Sequence, residues 1–126
     1  IVQCDIRKLD DFVVEENISN IDFIKIDIEG AELFALRGGA ESIKKYKPII
    51  FCEMLRKWSK KFDYHPNDII DLLKNMGYSC YAIQENALGL ISQVTDDTME
   101  TNFLFLDENK ERHKNILDKL SKNKKK

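Results

Sequence analysis

The stretch from Ile21 to Phe34, Ile-Asp-Phe-Ile-Lys-Ile-Asp-Ile-Glu-Gly-Ala-Glu-Leu-Phe, constrains the fold more than any other part of the chain. Phe23 to Ile28 has the isoleucine density of a central strand covered on both faces. Side chains alternate along a strand, so Ile24, Ile26 and Ile28 share one face while Phe23, Lys25 and Asp27 share the other. A lysine and an aspartate in a buried strand call for partners, because unpaired buried charge is costly. Gly30 then opens a helix. Acids gather where the strand ends, at Asp27, Glu29 and Glu32, and in open α/β sheets that end faces the ligand crevice.

The rest of the chain continues the alternation of strand and helix. Residues 1–5 form a short β-like stub. A short helix follows to Glu16, with Asp10 or Asp11 as its cap. The pair Gly38-Gly39 splits the next helical stretch into 31–37 and 40–46. Pro48 ends it, and a second buried strand runs to Met54 with Glu53 near its end. Residues 55–65 are expected to be a loop. Pro66 starts a helix that Gly77 stops. Strands are expected over 78–84, 90–94 and 102–106, with a polar loop at 95–101. The resulting class is α/β, with βαβ units, a mainly parallel sheet and an antiparallel edge formed by the last strands. Residues 107–126 carry eight Lys or Arg against four Asp or Glu. Their apolar stripe of Ile116, Leu117 and Leu120 is thin, so this region reads as a peripheral basic helix frayed from Ser121, separate from a domain at 1–106.

Composition narrows the function classes. A chain of 126 residues builds one core. Its net charge of −2 gives no global attraction for nucleic acid or anionic lipid, and no apolar run approaches a membrane span. Cys4, Cys52 and Cys80 form neither a CxxC nor a disulfide framework, which points to buried thiols in a reducing, cytoplasmic compartment. His65 and His113 lack partners at metal-ligand spacing, so no metal site is expected. The chain starts at Ile1 as if in mid-strand, and reads as a piece of a longer protein.

The chemistry sits in Lys25, Asp27, Glu29, Glu32 and Glu53. If the two buried strands are neighbours, Asp27, Glu29 and Glu53 converge with Lys25 one layer below. Such carboxylates can orient a hydroxyl, take its proton or hold a cation. Glu29 and Glu32 also suit the first turn of a helix, where they complement its dipole, and for Glu32 that is the simpler account. Gly30 permits either a close ligand approach or a tight turn. No GxGxxG or GxxxxGK[ST] occurs. Arg56, Lys57, Lys60 and Lys61, interleaved with Trp58, Phe62 and Tyr64, can hold an anionic or ring-bearing substrate or simply form a solvated basic loop.

Ile21 to Glu32, Leu36-Arg-Gly-Gly-Ala40 and Lys47-Pro-Ile-Ile-Phe-Cys-Glu53 together resemble the FkbM family of S-adenosylmethionine-dependent methyltransferases, as does Leu9-Asp10-Asp11 upstream. The resemblance covers residues 8–84. It implies a Rossmann-like sheet of order 3-2-1-4-5-7-6, of which this chain would hold strands four to seven. It implies methyl transfer to a hydroxyl oxygen of a sugar or other small metabolite, with Asp27 and Glu29 over the reacting centre and Lys25 and Glu53 in support. Asp10, Asp27 and Gly30 are the cofactor-side candidates; Glu32, Arg56 and Trp58 are the acceptor-side candidates. Strands one to three, with the glycine-rich loop, are expected to be missing, so this chain alone should bind the cofactor weakly or not at all. The strand edge left open at residues 22–28 should then pair with a second copy as a homodimer.

Two other functions compete. Ile21 to Asp27 is similar to a strand of EAL-type cyclic-dinucleotide phosphodiesterases, but the chain is too short for their barrel. A non-catalytic, self-associating module would also fit a chain without a phosphate-binding loop.

Overall fold

Five short apolar segments pair into one mixed sheet. The structure, a computed structural model, describes residues 6–124, with side chains through residue 120. The stub expected at residues 1–5, with Cys4, and the last two lysines lie outside the described residues. The strands are β1 (Phe23–Ile26), β2 (Ile49–Glu53), β3 (Ser79–Ile83), β4 (Leu88–Ile91) and β5 (Asn102–Leu106), in the order β1-β2-β5-β3-β4. The helices are α1 (Leu9–Glu15), α2 (Glu32–Gly38), α3 (Ala40–Tyr46), α4 (Arg56–Lys61), α5 (Pro66–Lys74) and α6 (Glu111–Lys124).

Two layers cover the sheet. On one face Ile50, Cys52, Cys80, Phe103 and Phe105 pack against Leu33 and Leu36 of α2, Ile43 of α3, and Ile69 and Leu73 of α5. On the other, Ile49, Tyr81, Leu104 and Leu106 pack against Ile116 and Leu117 of α6. The α/β class is as expected. The sheet is not mainly parallel, however: β1 and β2 are parallel, and the ladders β2–β5, β5–β3 and β3–β4 are antiparallel. The final strand is not an edge either. β5 enters between β2 and β3, where both of its faces are covered and Phe103, Phe105 and Leu106 are fully buried. A continuous apolar run suits that position.

β1 departs from the central, doubly covered strand that its isoleucines suggest, and is the open edge that the resemblance implied. It is shorter, ending at Ile26, and it is an edge strand with one neighbour. Its outer face is bare: Phe23 is 54% exposed, and Lys25 and Asp27 are exposed too. The two charges therefore stay in water, and burial makes no demand for partners.

Several punctuation marks act as their chemistry predicts. His65 caps α5: its Nδ1 accepts the Asn67 N–H at 3.1 Å, and Asp68 accepts the His65 N–H at 3.1 Å. Gly77, with φ +97°, follows the end of that helix. The Gly38-Gly39 break brings α1 close, since a Cβ on Gly39 would stand 2.7 Å from a Leu9 methyl carbon. By contrast, residues 56–61 form α4 rather than a loop. That helix has no side-chain cap, so nothing in its sequence announced its start.

The start of α6 is anchored through His113. His113 is 1% exposed. Its Nδ1 accepts the Asp107 N–H at 2.9 Å, and its Nε2 lies 2.8 Å from the Lys47 carbonyl, which makes Nε2 the protonated nitrogen. Lys47 pairs with the buried Asp107 at 3.0 Å and donates to the Met76 carbonyl. The Tyr78 hydroxyl donates to the Pro48 carbonyl at 2.6 Å beside them. The helix runs from Glu111 to Lys124.

Candidate functional site

The parallel pairing of β1 with β2 decides which acids meet. Lys25 lies opposite Phe51 and Ile26 opposite Cys52, and there the pairing ends, with Asp27 just after β1 and Glu53 the last residue of β2. Asp27 and Glu29 are exposed and Glu53 is half-buried. Burial first, and then the carboxylates of Glu32, Glu53 and Asp27, push the Cys52 thiol well above the ordinary range. Cys52 is thus an inert, neutral side chain under the rim. Lys25 sits on the same strand with its Nζ 6.0 Å from the centre of the Phe51 ring. Among the described residues no carboxylate lies within ion-pair distance of it.

The turn after β1 is shaped by Glu32. That side chain is 4% exposed, and its carboxylate accepts the N–H groups of Ile28 at 2.8 Å and Gly30 at 3.0 Å. These bonds hold two consecutive residues at positive φ, Glu29 at +52° and Gly30 at +111°. A non-glycine residue in the left-handed region is strained, and the Glu29 side chain is exposed to solvent. Glu32 is thereby committed to the main chain, and its candidacy as an acceptor-binding group gives way to a role in positioning the turn.

Gly30 has a comparable account. A Cβ there would come within 2.6 Å of the Trp58 carbonyl oxygen and 2.9 Å of the Phe62 ring. The close approach that this glycine permits is made by α4, not by a ligand. Tyr64 closes the arrangement, its hydroxyl donating to the Gly30 carbonyl at 2.6 Å. Burial pushes that hydroxyl up to about 12, with the neighbouring Glu32 carboxylate adding to the effect and a Leu33 main-chain bond opposing it. Phe34 meets both Phe62 and Tyr64 edge-on, with ring centres 5.8 and 5.9 Å apart. Tyr64 was noticed in the sequence only as one aromatic of the 55–65 segment. Its position just ahead of the His65-Pro66 helix start was the available signal.

The remaining candidates lie elsewhere. Asp10 accepts the N–H groups of Glu41 at 3.1 Å and Ser42 at 2.9 Å. It caps α3 across more than thirty residues rather than α1. Burial alone would raise its carboxyl, but the hydrogen bonds from Ser42 and Glu41 hold it below the usual carboxylate value. Arg56 donates to the Thr95 carbonyl and reaches Asp96 at 3.4 Å, fastening α4 to the loop before β5. Trp58 is half-buried, with Lys61 4.3 Å and Lys57 5.1 Å from its ring. A cavity of about 200 Å³ opens between Leu55, Lys57, Thr98 and Glu100. Among the described residues no group of three or more His, Cys, Asp or Glu is placed to hold a metal, and no helix is long and apolar enough to cross a membrane.

Residues 1–80 match the family model described as the methyltransferase FkbM domain. That span runs from before α1 into β3 and contains the whole acid rim, while β4, β5 and α6 fall outside it. No curated protein and no solved structure matches the chain.

Proposed function

The chain belongs to the methyltransferase FkbM domain family, and from that premise we propose that it forms the acceptor-side half of an S-adenosylmethionine-dependent O-methyltransferase acting on a hydroxyl of a small metabolite or sugar. One observation supports the reading: the parallel register of β1 with β2, whose last pair, Ile26 with Cys52, stands one residue before Asp27 and Glu53. The sheet supports it as well. Read as a partial Rossmann-like sheet, β1-β2-β5-β3 has the order and strand directions expected of strands four, five, seven and six. β4 has no counterpart in that scheme. The comparisons give the phosphodiesterase alternative no support. The buried free thiols of Cys52 and Cys80 suit the reducing conditions of the cytoplasm.

The chemistry of the rim fits one end of the cofactor. Asp27, Glu29 and Glu53 provide negative charge next to which a sulfonium is stabilised. Asp10 and Gly30 do not fit as contacts, since one is taken by α3 and the other is covered by α4. When bound, S-adenosylmethionine supplies an electrophilic methyl group. The protein's own part is to hold the acceptor hydroxyl between Asp27 and Glu53, align it and receive its proton on a carboxylate oxygen. Glu32, through Ile28 and Gly30, keeps the turn that aims Glu29. Lys25, exposed one pair below the rim, offers the acceptor a further donor.

The test is transfer of labelled methyl from S-adenosylmethionine to a panel of hydroxylated metabolites, in a chain extended upstream of residue 1. Asp27→Asn and Glu53→Gln should separate the roles. The variant lacking the proton acceptor should lose about 10²- to 10⁴-fold in kcat, and the other should mainly raise KM. Activity unchanged in both variants would overturn the assignment.

A further inference from the structure

The last pair of the β2–β5 ladder stands at the end of β2 where the acids gather. Glu53 lies opposite Asn102, and one residue beyond them the Met54 N–H donates to the Thr101 carbonyl at 2.9 Å. Met54 and Thr101 are therefore a hydrogen-bonded pair, which makes Glu53 and Asn102 a non-hydrogen-bonded one. Side chains directly opposite in such a pair share a face and stand at the closest spacing a ladder allows, with Cβ atoms about 4.5–5.5 Å apart. Phe51 and Leu104, two residues further into the sheet, lie on the same face.

Both side chains are half-buried. Among the described residues neither makes a hydrogen bond, and neither has a polar atom sealed from solvent without a partner. Asn67 shows the contrast. It is also half-buried, but its carboxamide accepts the Val94 N–H at 2.6 Å and donates to the Val94 carbonyl at 3.1 Å. At the end of β2, by comparison, a carboxylate that only accepts stands beside a carboxamide that both donates and accepts, and neither is committed to the fold. The order β1-β2-β5 places Asn102 on the side of Glu53 away from β1. A hydroxyl held by Glu53 toward β1 leaves the hydroxyl on the adjacent carbon to the Asn102 carboxamide, which can accept from it at Oδ1 or donate to it from Nδ2. A neutral carboxamide takes up no proton, so it orients this second hydroxyl without activating it.

We infer that Glu53 and Asn102 together grip a vicinal diol: the acceptor is a sugar-type compound with a free hydroxyl next to the one that is methylated, and Asn102 selects for it. This acceptor class rests on the methyl-transfer reading of the rim and narrows it. Asn102 lies beyond residues 1–80, the span that the family model matches, and strand register alone brings it to Glu53.

The experiment uses the chain extended upstream of residue 1, with methyl hexopyranosides and their monodeoxy analogues as acceptors. Asn102→Ala should raise KM for the full sugar about tenfold, with a smaller effect on kcat. The analogue that lacks the adjacent hydroxyl should cost the wild type a similar factor and cost Asn102→Ala nothing more, because the contact is already gone. Asn102→Ser keeps a short hydrogen-bonding group and should fall between the two, and circular dichroism of each variant checks that folding is kept. A second readout needs no methyl transfer: the side-chain amide resonances of Asn102 should shift on titration with the full sugar and stay in place with the deoxy analogue. Such shifts without methyl transfer would support the diol grip and overturn the methyl-transfer reading. Methyl transfer with Asn102→Ala equally costly for sugar and analogue, or with Asn102 resonances indifferent to the adjacent hydroxyl, would overturn the diol grip alone. Neither transfer nor shift would overturn both.

Discussion

Gly30 cannot carry a side chain without displacing α4. Its φ of +111° is closed to other residues, and a Cβ would meet the Trp58 carbonyl at 2.6 Å. Gly30→Ala combines backbone strain with overpacking and should destabilise the fold by about 3 kcal/mol. Urea denaturation would read this as a lower midpoint at unchanged slope. An unchanged midpoint would mean that the turn and α4 are not packed as described. The sequence showed that Gly30 was special, but it left a ligand and a neighbouring helix equally able to explain it. Glu32 illustrates the same limit. An acid in the first turn of a helix suits the dipole, and its type and spacing do not reveal that it is buried and bonded to the preceding turn.

At the scale of elements, α3 depends on a cap that comes from another helix. Its own N-cap, Gly39, has no side chain, and Asp10 of α1 supplies the missing acceptor for Glu41 and Ser42. Asp10→Ala should cost about 1 kcal/mol, as for removal of an ordinary N-cap, and should speed amide exchange in the first turn of α3 rather than in α1. Faster exchange confined to α1 would restore the local cap that the sequence suggested. Boundaries marked by proline and glycine were legible: the break at Gly38-Gly39, the start at Pro66 and the stop at Gly77 stand where the residue types placed them. α4 was not legible, because it lacks a cap and its polar residues suit a loop equally well. For β1 the isoleucine run suggested a central strand, while the resemblance implied its open edge. Isoleucine density records apolar character, not the number of neighbouring strands.

For the whole molecule, α6 is fastened to the sheet by a neutral histidine among charged groups. Burial holds His113 below its ordinary value of 6.5, with Arg112 and Lys47 acting in the same direction, while its bond to the Lys47 carbonyl and the nearby Asp107 oppose the shift. A histidine whose folded pKa is lowered binds fewer protons folded than unfolded. Its stabilising contribution is therefore complete above 6.5 and is lost as pH falls from there through the folded value. The urea midpoint should fall between pH 7.5 and pH 5 in the wild type and fall less in His113→Gln, which also removes the contribution of His65 by difference. Equal slopes in the two proteins would show that His113 titrates normally. The sequence by itself determined the α/β class, the helix breaks, the acid-rich strand end and the family, because each is written in residues close together in the chain. The family resemblance already implied β5 between β2 and β3 and an open edge at β1; only the tertiary structure decided that Asp10 serves α3 and that His113 is buried. Each of those depends on pairing between segments far apart in the chain, and the free energy of such pairing comes from surfaces that local sequence does not bring together.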